Sequence, residues 1–303
     1  MRKELCAALV DISTNPNMLF LTGDLGFMAL EPLQAQMGER FINAGVAEQN
    51  MISVAAALAK DNWDVWCYSI APFCFARPFE QIRNDVCLHN MPVRLIGNGG
   101  GYGYGVMGPT HHAVDDYAVL LALPNMHVYV PCFDEDVPAV IQAAQHRPGP
   151  CYIRLGRGEL PNGETTPVYQ PWRQLLAGDG AIIIATGPIA GMVWSTCRDL
   201  PVAQRPSVWV VSELPLTHDA LPPAVITQIA RGAKLIVVEE HVSHGGLAHM
   251  LLYYCATHGI AVGEFHSMHA VGLDIGAYGS QTYLRQQSQL TPGAIRSCLG
   301  IYE

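Results

Sequence analysis

The feature that most constrains the fold is an alternation of helix-like and strand-like stretches along the first half of the chain. Strands are predicted over 18–22, 63–70, 93–97, 128–130 and 151–155, and helices over 5–13, 46–60, 79–89, 114–123 and 134–146. Strands that alternate with helices indicate a mainly parallel sheet with helices on both faces. Ligands of such sheets bind at the carboxyl ends of the strands, so functional residues are expected there.

The alternation stops between Gly158 and Gly178, where prolines at 161, 167 and 171 stand among polar residues. Such a segment is typical of a linker. The pattern then resumes, with strands predicted over 181–185, 207–211 and 234–239 and helices over 189–197, 224–228, 247–257 and 292–299. The sequence therefore predicts an α/β protein of two domains, with a first domain over 1–157, a linker over 158–177 and a smaller α/β domain over 178–303.

The composition limits the partners of this chain. Half of its 303 residues are hydrophobic and only 14% are charged, so we expect another protein to cover part of its surface. A net charge of -9 without basic runs argues against nucleic acid and against an anionic membrane. The apolar run at 5–10 is too short for a signal peptide or a membrane-spanning helix.

The cysteines and histidines indicate the compartment and argue against a structural metal. Nine cysteines are scattered without a Cys-x-x-Cys pair, as is typical of reduced thiols in a cytoplasmic protein. The twelve histidines form no His-Glu-x-x-His motif or Cys/His cluster, so no zinc site is predicted.

A carboxylate with a possible chemical role lies in the segment 41–51, Phe-Ile-Asn-Ala-Gly-Val-Ala-Glu-Gln-Asn-Met. The apolar approach ends at Gly45, and Glu48 falls in the first turn of a predicted helix, where unpaired N–H groups favour a carboxylate for structural reasons alone. Gly-Val-Ala-Glu-Gln-Asn-Met nevertheless resembles the segment of transketolases and deoxyxylulose-phosphate synthases that carries the cofactor-activating glutamate. The resemblance implies that Glu48 hydrogen-bonds the aminopyrimidine of thiamine diphosphate and favours the tautomer that removes the thiazolium proton.

The resemblance extends to both predicted domains. It identifies residues 1–157 as a pyrimidine-binding domain. Residues 178–303 resemble the transketolase C-terminal domain through the strand opening at 179–187, the Val-Val-Glu-Glu-His run at 237–241 and the glycine turn at 245–247. His241 and His244 are expected to be structural or surface histidines.

Aromatic residues that could stack on the cofactor lie in the segment 72–83, Pro-Phe-Cys-Phe-Ala-Arg-Pro-Phe-Glu-Gln-Ile-Arg. In the family this stretch holds an aromatic ring against the aminopyrimidine, because stacking fixes the ring without using its hydrogen-bonding edge. Phe73 and Phe75 are both candidates, and either ring could instead be core packing. Arg77 is a candidate cofactor contact, with a surface or ion-pair role as the alternative.

The glycine loop at 97–108 ends in Gly-Pro-Thr-His at 108–111. Gly103, Gly105 and Gly108 fit G-x-G-x-x-G, but a proline and two histidines stand where a helix should open, so a dinucleotide site is rejected. Gly-Pro-Thr-His is similar to the transketolase segment whose histidine faces the reacting carbon. This implies that His111 binds the substrate and moves protons, which an imidazole can do near neutral pH. His112 has no assigned role.

Two departures from the family pattern bear on the substrate. The resemblance places Met107 where sugar-phosphate transketolases usually have an acidic residue, and Gly99 where they have a histidine that binds phosphate or hydroxyl groups. Arg157 matches a substrate-phosphate arginine, a role that suits the bidentate guanidinium. The resemblance therefore implies a conserved phosphate end and an altered polyol end of the substrate.

The sequence lacks the motif with which the family binds Mg²⁺ and the diphosphate, a Gly-Asp-Gly followed by paired asparagines. Gly178-Asp179-Gly180 opens a predicted strand of the second domain, and no asparagine pair follows. The chain therefore resembles the C-terminal section, or β-type subunit, of a split transketolase. A partner chain of the N-terminal section would bind Mg²⁺ and the diphosphate, and two copies of each chain are expected.

The resulting hypothesis is a thiamine-diphosphate-dependent subunit that transfers a two-carbon ketol or acyl unit from a ketose phosphate or 2-oxo acid. One alternative is the β subunit of a 2-oxo acid dehydrogenase, and another is a non-catalytic assembly or regulatory subunit. A self-sufficient Rossmann-type oxidoreductase is a further alternative that the motifs disfavour.

Overall fold

The computed structural model describes residues 1–216, 221–274, 276 and 278–302. It contains two β-sheets flanked by helices, as the alternation of apolar segments predicts, and the α/β class with mainly parallel sheets is confirmed. The strands are β1 (Met18–Thr22), β2 (Phe41–Asn43), β3 (Asp64–Ile70), β4 (Val93–Asn98), β5 (His127–Tyr129), β6 (Cys151–Leu155), β7 (Trp172–Leu176), β8 (Ile182–Thr186), β9 (Ser207–Val211), β10 (Glu213–Leu214), β11 (Leu235–Glu239) and β12 (Phe265–Met268).

The helices cover the sheets through their apolar faces. They are α1 (Arg2–Ile12), α2 (Glu31–Met37), α3 (Glu48–Lys60), α4 (Ala71–Phe75), α5 (Phe79–Gln81), α6 (Asp116–Leu121), α7 (Val137–Gln145), α8 (Ala190–Arg198), α9 (Pro223–Ala230), α10 (Leu247–Thr257), α11 (Gln281–Gln287) and α12 (Pro292–Cys298). The helix predicted over 79–89 is α5 followed by a π-helical segment, Ile82–Cys87. Every helix in the described ranges is too short or too polar to cross a bilayer.

The first sheet has seven strands in the order β10-β5-β6-β4-β3-β1-β2. All neighbours pair in parallel except β10, which comes from the second half of the chain and pairs antiparallel with β5. The carboxyl ends of β1, β2, β3, β4 and β6 therefore lie along one edge of the sheet. That edge carries the segments in which the sequence places Glu48, the glycine loop and Arg157.

The second sheet has five strands in the order β12-β11-β8-β9-β7. Its edge strand β7, Trp172–Leu176, corrects the prediction that all of 158–177 is a linker, since β7 pairs antiparallel with β9. Pro171 stands directly before this strand, a position that an edge strand tolerates. The buried side chain of Arg173 ties β7 to the first domain through an ion pair with Asp136 at 2.6 Å.

A network of buried charges joins the two domains. We call it the interdomain seam and define it by Asp116, Tyr117, Arg154, Glu239, Glu240 and His241. The Arg154 guanidinium donates to Asp116 at 2.8 Å and to the backbone carbonyl of Glu240 at 3.0 Å. Glu239 accepts the backbone N–H groups of Leu247 and Ala248 at the start of α10, at 2.7 and 2.9 Å. The charges of the seam are thus compensated by hydrogen bonds from both domains, as buried charges require.

Candidate active site

Glu48 is the first residue of α3 and is almost fully buried, with 2% of its surface exposed. The turn before it is shaped by Gly45, which has φ +69° and donates its N–H to the side-chain oxygen of Asn43 at 2.9 Å. This turn brings the chain from β2 straight into the helix. The carboxylate consequently lies at the positive end of the helix dipole, at the edge of the first sheet formed by the carboxyl ends of its strands.

The ion-pair partner of Glu48 is Arg77, whose guanidinium Nη1 lies 2.6 Å from Glu48 Oε2. The two side chains differ in environment, because 39% of the Arg77 side chain is exposed. The same guanidinium lies over the ring of Phe73, 4.1 Å from its centroid. A buried carboxylate, a partly exposed cation and an aromatic ring are therefore in contact at one place.

The two phenylalanines that the sequence could not distinguish have different positions. Phe75 is 3% exposed and belongs to the hydrophobic core between α3 and the first sheet. Phe73 is half-buried and meets the ring of His111 edge-on, with 5.1 Å between centroids. Phe73 is therefore the ring that lies with Glu48, Arg77 and His111, and we call these four side chains the Glu48 cluster.

His111 enters the Glu48 cluster from a 3-10 turn, Pro109–His111, at the end of the glycine loop. Its Nδ1 lies 3.0 Å from the hydroxyl of Thr110, and its ring is half-buried. The preceding turn is open to solvent, with Val106 68% and Met107 53% exposed. The structure thus places an imidazole beside the aromatic ring, next to an apolar rim.

His112 points away from this site. Its ring is buried and packs edge-on against Tyr102, with 5.2 Å between centroids. Burial lowers the pKa of His112, because desolvation disfavours the charged imidazolium. Its Nδ1 has no hydrogen-bond partner among the described residues. A neutral packing role fits this environment.

Arg157 lines a cleft of about 260 Å³ at the carboxyl ends of β4 and β6. No residue of the Glu48 cluster lines this cleft, whose other walls are Met1, Arg2, Asn98, Gly99, Gly103, Tyr104 and Gly156. Arg157 itself is exposed. A larger cleft of about 730 Å³ between α1 and residues 28–32 contains none of the predicted site residues.

Tyr104 is a cleft residue that the sequence did not reveal. Its ring occupies the space that a side chain at Gly99 would need, and its hydroxyl accepts a hydrogen bond from the Asn98 amide at 2.6 Å. A tyrosine five positions away in an irregular loop has no periodicity that could predict this placement. The ring of Tyr104 therefore fills the space that the lack of a side chain at Gly99 leaves open.

The Glu48 cluster can hold and orient a heteroaromatic ring and move protons. A buried carboxylate accepts a hydrogen bond strongly, a phenylalanine offers a stacking face, and an imidazole donates or accepts a proton. Within the ranges that the structure describes, no group of three or more His, Cys, Asp or Glu side chains is placed to hold a metal ion.

Comparisons with known proteins place these residues in a family context. The family described as "Transketolase, pyrimidine binding domain" matches residues 7–162. An apulose-4-phosphate transketolase subunit of Actinobacillus succinogenes is 28% identical over 239 residues, which cover 77% of this chain and 75% of that protein. The putative transketolase C-terminal section of Methanocaldococcus jannaschii is 29% identical over 273 residues, covering 86% and 83%.

A solved structure extends the likeness to the whole fold. It is described as a split gene transketolase, inactive beta4 tetramer, and it superimposes with a TM-score of 0.82 at 26% identity. The superposition covers 99% of this chain and 96% of that one. The likeness therefore extends over both sheets of this chain.

Proposed function

The chain belongs to the transketolase family, whose pyrimidine-binding domain matches residues 7–162, and we propose on this premise that it is the C-terminal-section subunit of a split transketolase. It would supply the residues that activate thiamine diphosphate, the cofactor of the family. The single observation that carries the proposal is the pairing of the buried Glu48 with Arg77 beside the ring of Phe73. The named relatives are subunit or section proteins of the transketolase type.

The residues of the Glu48 cluster fit the aminopyrimidine half of this cofactor. Glu48 is nearly excluded from water and its carboxylate faces a group that is partly exposed, so a ring nitrogen could reach it from the open side. When bound, thiamine diphosphate supplies the nucleophilic carbon for transfer of a two-carbon ketol or acyl unit. We assign Phe73 to stacking on the pyrimidine, while the buried Phe75 supports α4 from the core.

Each side chain of the cluster has a distinct role in this proposal. Glu48 accepts a hydrogen bond from the aminopyrimidine ring of the cofactor and favours the tautomer that removes the thiazolium proton. Arg77 offsets the cost of burying the Glu48 carboxylate and forms part of the cofactor contact. His111 exchanges protons with substrate hydroxyl or carbonyl oxygens, which its position beside Phe73 supports.

The substrate end of the site differs from the family pattern. The exposed Met107 gives the rim an apolar side chain where sugar-phosphate transketolases usually have an acidic one. The guanidinium of Arg157 provides a charge for a phosphate group in the cleft that Tyr104 narrows. We propose a ketose phosphate or 2-oxo acid substrate whose polyol portion is not the usual pentose-phosphate one.

We propose that a partner chain of the N-terminal section binds Mg²⁺ and the diphosphate, and that two copies of each chain assemble. The subunit and C-terminal-section names of the relatives support this division. The likeness to an inactive beta4 assembly supports the expectation that this chain is inactive without its partner. The cysteines, all free and mostly buried, support a cytoplasmic location.

The test is reconstitution with an N-terminal-section chain that carries Gly-Asp-Gly and paired asparagines. Two-carbon transfer is assayed for the mixture, for each chain alone and for the Glu48→Gln variant. Loss of the carboxylate should lower kcat by about 10²–10⁴-fold, the range for a positioned acid–base group. Glu135→Gln, an exposed carboxylate in another first helical turn, serves as the matched control.

The outcomes separate the rival interpretations. Sedimentation of the Glu48→Gln mixture must first show an intact complex. Full activity of that complex would overturn the assignment and favour an assembly or regulatory subunit. Activity of this chain alone would overturn the division of the site between two chains.

A further inference from the structure

The glycine loop is held from outside its own domain by Glu240, which is 5% exposed. Glu240 Oε1 accepts the backbone N–H of Tyr102 at 2.6 Å and the side-chain amide of Gln281 at 2.9 Å. Its other oxygen, Oε2, forms an ion pair with Arg285 of α11. Both carboxylate oxygens are bonded, so the carboxylate is fixed by α11 and in turn fixes the loop.

Two glycines of the loop permit this close approach. A Cβ atom at Gly101, which has φ +66°, would overlap the Glu240 carboxylate. A Cβ atom at Gly105 would lie 2.5 Å from the carbonyl oxygen of Gly279, just before α11. Gly105, one of the three glycines that fit the dinucleotide motif, and Gly101, which lies outside that motif, thus accommodate the second domain.

The bond to Tyr102 lies at the base of the loop. Gly101 and Ala113 exchange backbone hydrogen bonds of 2.8 and 2.9 Å, which close the loop around Pro109–His111. The Tyr102 hydroxyl lies 3.1 Å from the hydroxyl of Ser288. The outer turn at Val106 and Met107 is exposed, so the segment is held by the bonds at its base and by the backbone N–H of Gly279, which donates to the Gly105 carbonyl at 3.3 Å.

We propose that Glu240 is a positioning residue of the active site, which holds the glycine loop so that His111 stays beside Phe73. The second domain would then contribute to catalysis without touching substrate or cofactor. The claim that Glu240 holds the loop follows from the contacts alone, whereas the expected effect on turnover rests on the proposed function.

Hydrogen exchange measured by mass spectrometry on the folded full chain tests the holding of the loop. Glu240→Ala and Glu240→Gln are compared with the unaltered chain over the peptide 98–113. In Glu240→Ala the loop amides should exchange about tenfold faster or more, the factor that matches loss of a hydrogen bond to a charged group. Glu240→Gln retains an oxygen for the Tyr102 N–H, so its increase should be smaller.

Substitutions at two glycines test the same contact while the charges of Glu240 and Arg285 are retained. Gly101→Ala places a methyl group against Glu240, whereas Gly259→Ala introduces the same backbone strain, at φ +67°, where no atom lies within 4 Å. Gly101→Ala should accelerate exchange in the loop, and Gly259→Ala should leave the loop unchanged. If Glu240→Ala fails to fold, the comparison of Gly101→Ala with Gly259→Ala decides whether Glu240 holds the loop.

Activity of the reconstituted complex tests the consequence for His111. Glu240→Gln should lower kcat about ten- to a hundredfold through misplacement of the imidazole. The double variant Glu240→Gln/His111→Asn should have the same kcat as His111→Asn alone, because both substitutions remove the contribution of a correctly placed His111 imidazole. Additive losses, or unchanged exchange in both Glu240→Ala and Gly101→Ala, would overturn the proposal. An inactive unaltered complex would count against the proposed function, while the exchange result would still judge the loop.

Discussion

Two arginine–carboxylate pairs in this protein have the same chemistry and opposite surroundings. In the interdomain seam, the Asp116 carboxylate accepts hydrogen bonds from the Arg154 guanidinium at 2.8 Å and from the Tyr152 hydroxyl at 2.9 Å. The Arg154 side chain is 3% exposed. In the Glu48 cluster, the Glu48 carboxylate forms an ion pair with the Arg77 guanidinium at 2.6 Å, and 39% of the Arg77 side chain is exposed. The first pair is enclosed by protein from both domains, and the second has one side open.

The comparison shows how a buried ion pair can be assigned to structure or to chemistry. Arg154 also donates from Nη2 to the carbonyls of Ala113 and Glu240, so groups of both domains surround its buried guanidinium. The Arg77 side chain is partly exposed, so its guanidinium has room to move away from Glu48 when another donor binds there. A buried carboxylate whose partner is open to solvent therefore indicates a site, whereas a pair enclosed by protein indicates a structural link.

Removal of each carboxylate should have the largest effect and should separate the two pairs. Asp116→Ala leaves the Arg154 guanidinium buried without its counter-charge and should lower the free energy of unfolding by about 3–5 kcal/mol. Glu48→Ala should cost far less, because Arg77 can turn toward solvent. Urea denaturation of the two variants measures the difference. Equal losses would show that the exposure of the arginine does not separate the two pairs.

The two phenylalanines sharpen the distinction between core and site. Phe75→Ala empties a fully packed position and should lower the unfolding free energy by about 3 kcal/mol or more. Phe73→Ala should destabilise the chain less, because its ring is half-buried, but should weaken thiamine diphosphate binding by the reconstituted complex. Thermal unfolding and a cofactor titration give the two readouts. A larger loss of stability for Phe73→Ala would contradict the assignment.

The seam also predicts a pH dependence that the Glu48 cluster does not require. Burial lowers the pKa of His241 to about 4, and its ring stacks on Tyr117 at 3.7 Å near the charges of Asp116 and Arg154. The unfolded chain binds a proton near pH 6.5 and the folded chain does so only near pH 4. Stability should therefore fall as pH is lowered through this window and be unaffected by His241 above it.

The difference between variants isolates the contribution of His241. The unfolding free energy of His241→Asn should fall less steeply between pH 6.5 and 5 than that of the unaltered chain, by up to about 1.4 kcal/mol per pH unit. His89→Asn, at an exposed histidine, is the control. Parallel slopes for the unaltered chain and His241→Asn would show that His241 is charged in the folded state.

Arg77 should matter less for stability than Asp116, although both substitutions leave a buried charge without its partner. Arg77→Ala opens the exposed side of the pair, so that water can hydrate the Glu48 carboxylate, and should lower the unfolding free energy by about 1–3 kcal/mol. Binding of thiamine diphosphate by the complex should weaken more clearly, because Arg77 contacts both Glu48 and Phe73. Calorimetric titration of the complex measures this. Unchanged affinity would leave Arg77 with a surface role.

The sequence predicted what depends on neighbouring residues. The alternating apolar segments predicted most strands of both sheets. The structure brings Glu48, Phe73 and His111 to one place, whereas Arg157 lines a separate cleft, and the catalytic roles of these residues stay predictions. Choosing between Phe73 and Phe75 required the structure, because two residues in one short helix, α4, differ only in the face that they present.

Contacts between distant parts of the chain left no local signal. Tyr102 and Glu240 are 138 positions apart, so no pattern in the glycine loop could reveal which carboxylate holds it. Strand β7 was missed because prolines dominate its approach, and β12 because Phe-His-Ser-Met has little apolar character. Edge strands gain their stability from pairing, which the sequence of the strand alone does not show.

The measurement that most directly tests the division of the site is a titration of thiamine diphosphate and Mg²⁺ into three samples: this chain alone, its partner chain alone, and the two together. We predict tight binding and two-carbon transfer only for the two chains together, with transfer lost in Glu48→Gln while the complex stays assembled. Tight binding of the cofactor and turnover by this chain alone would contradict the central claim.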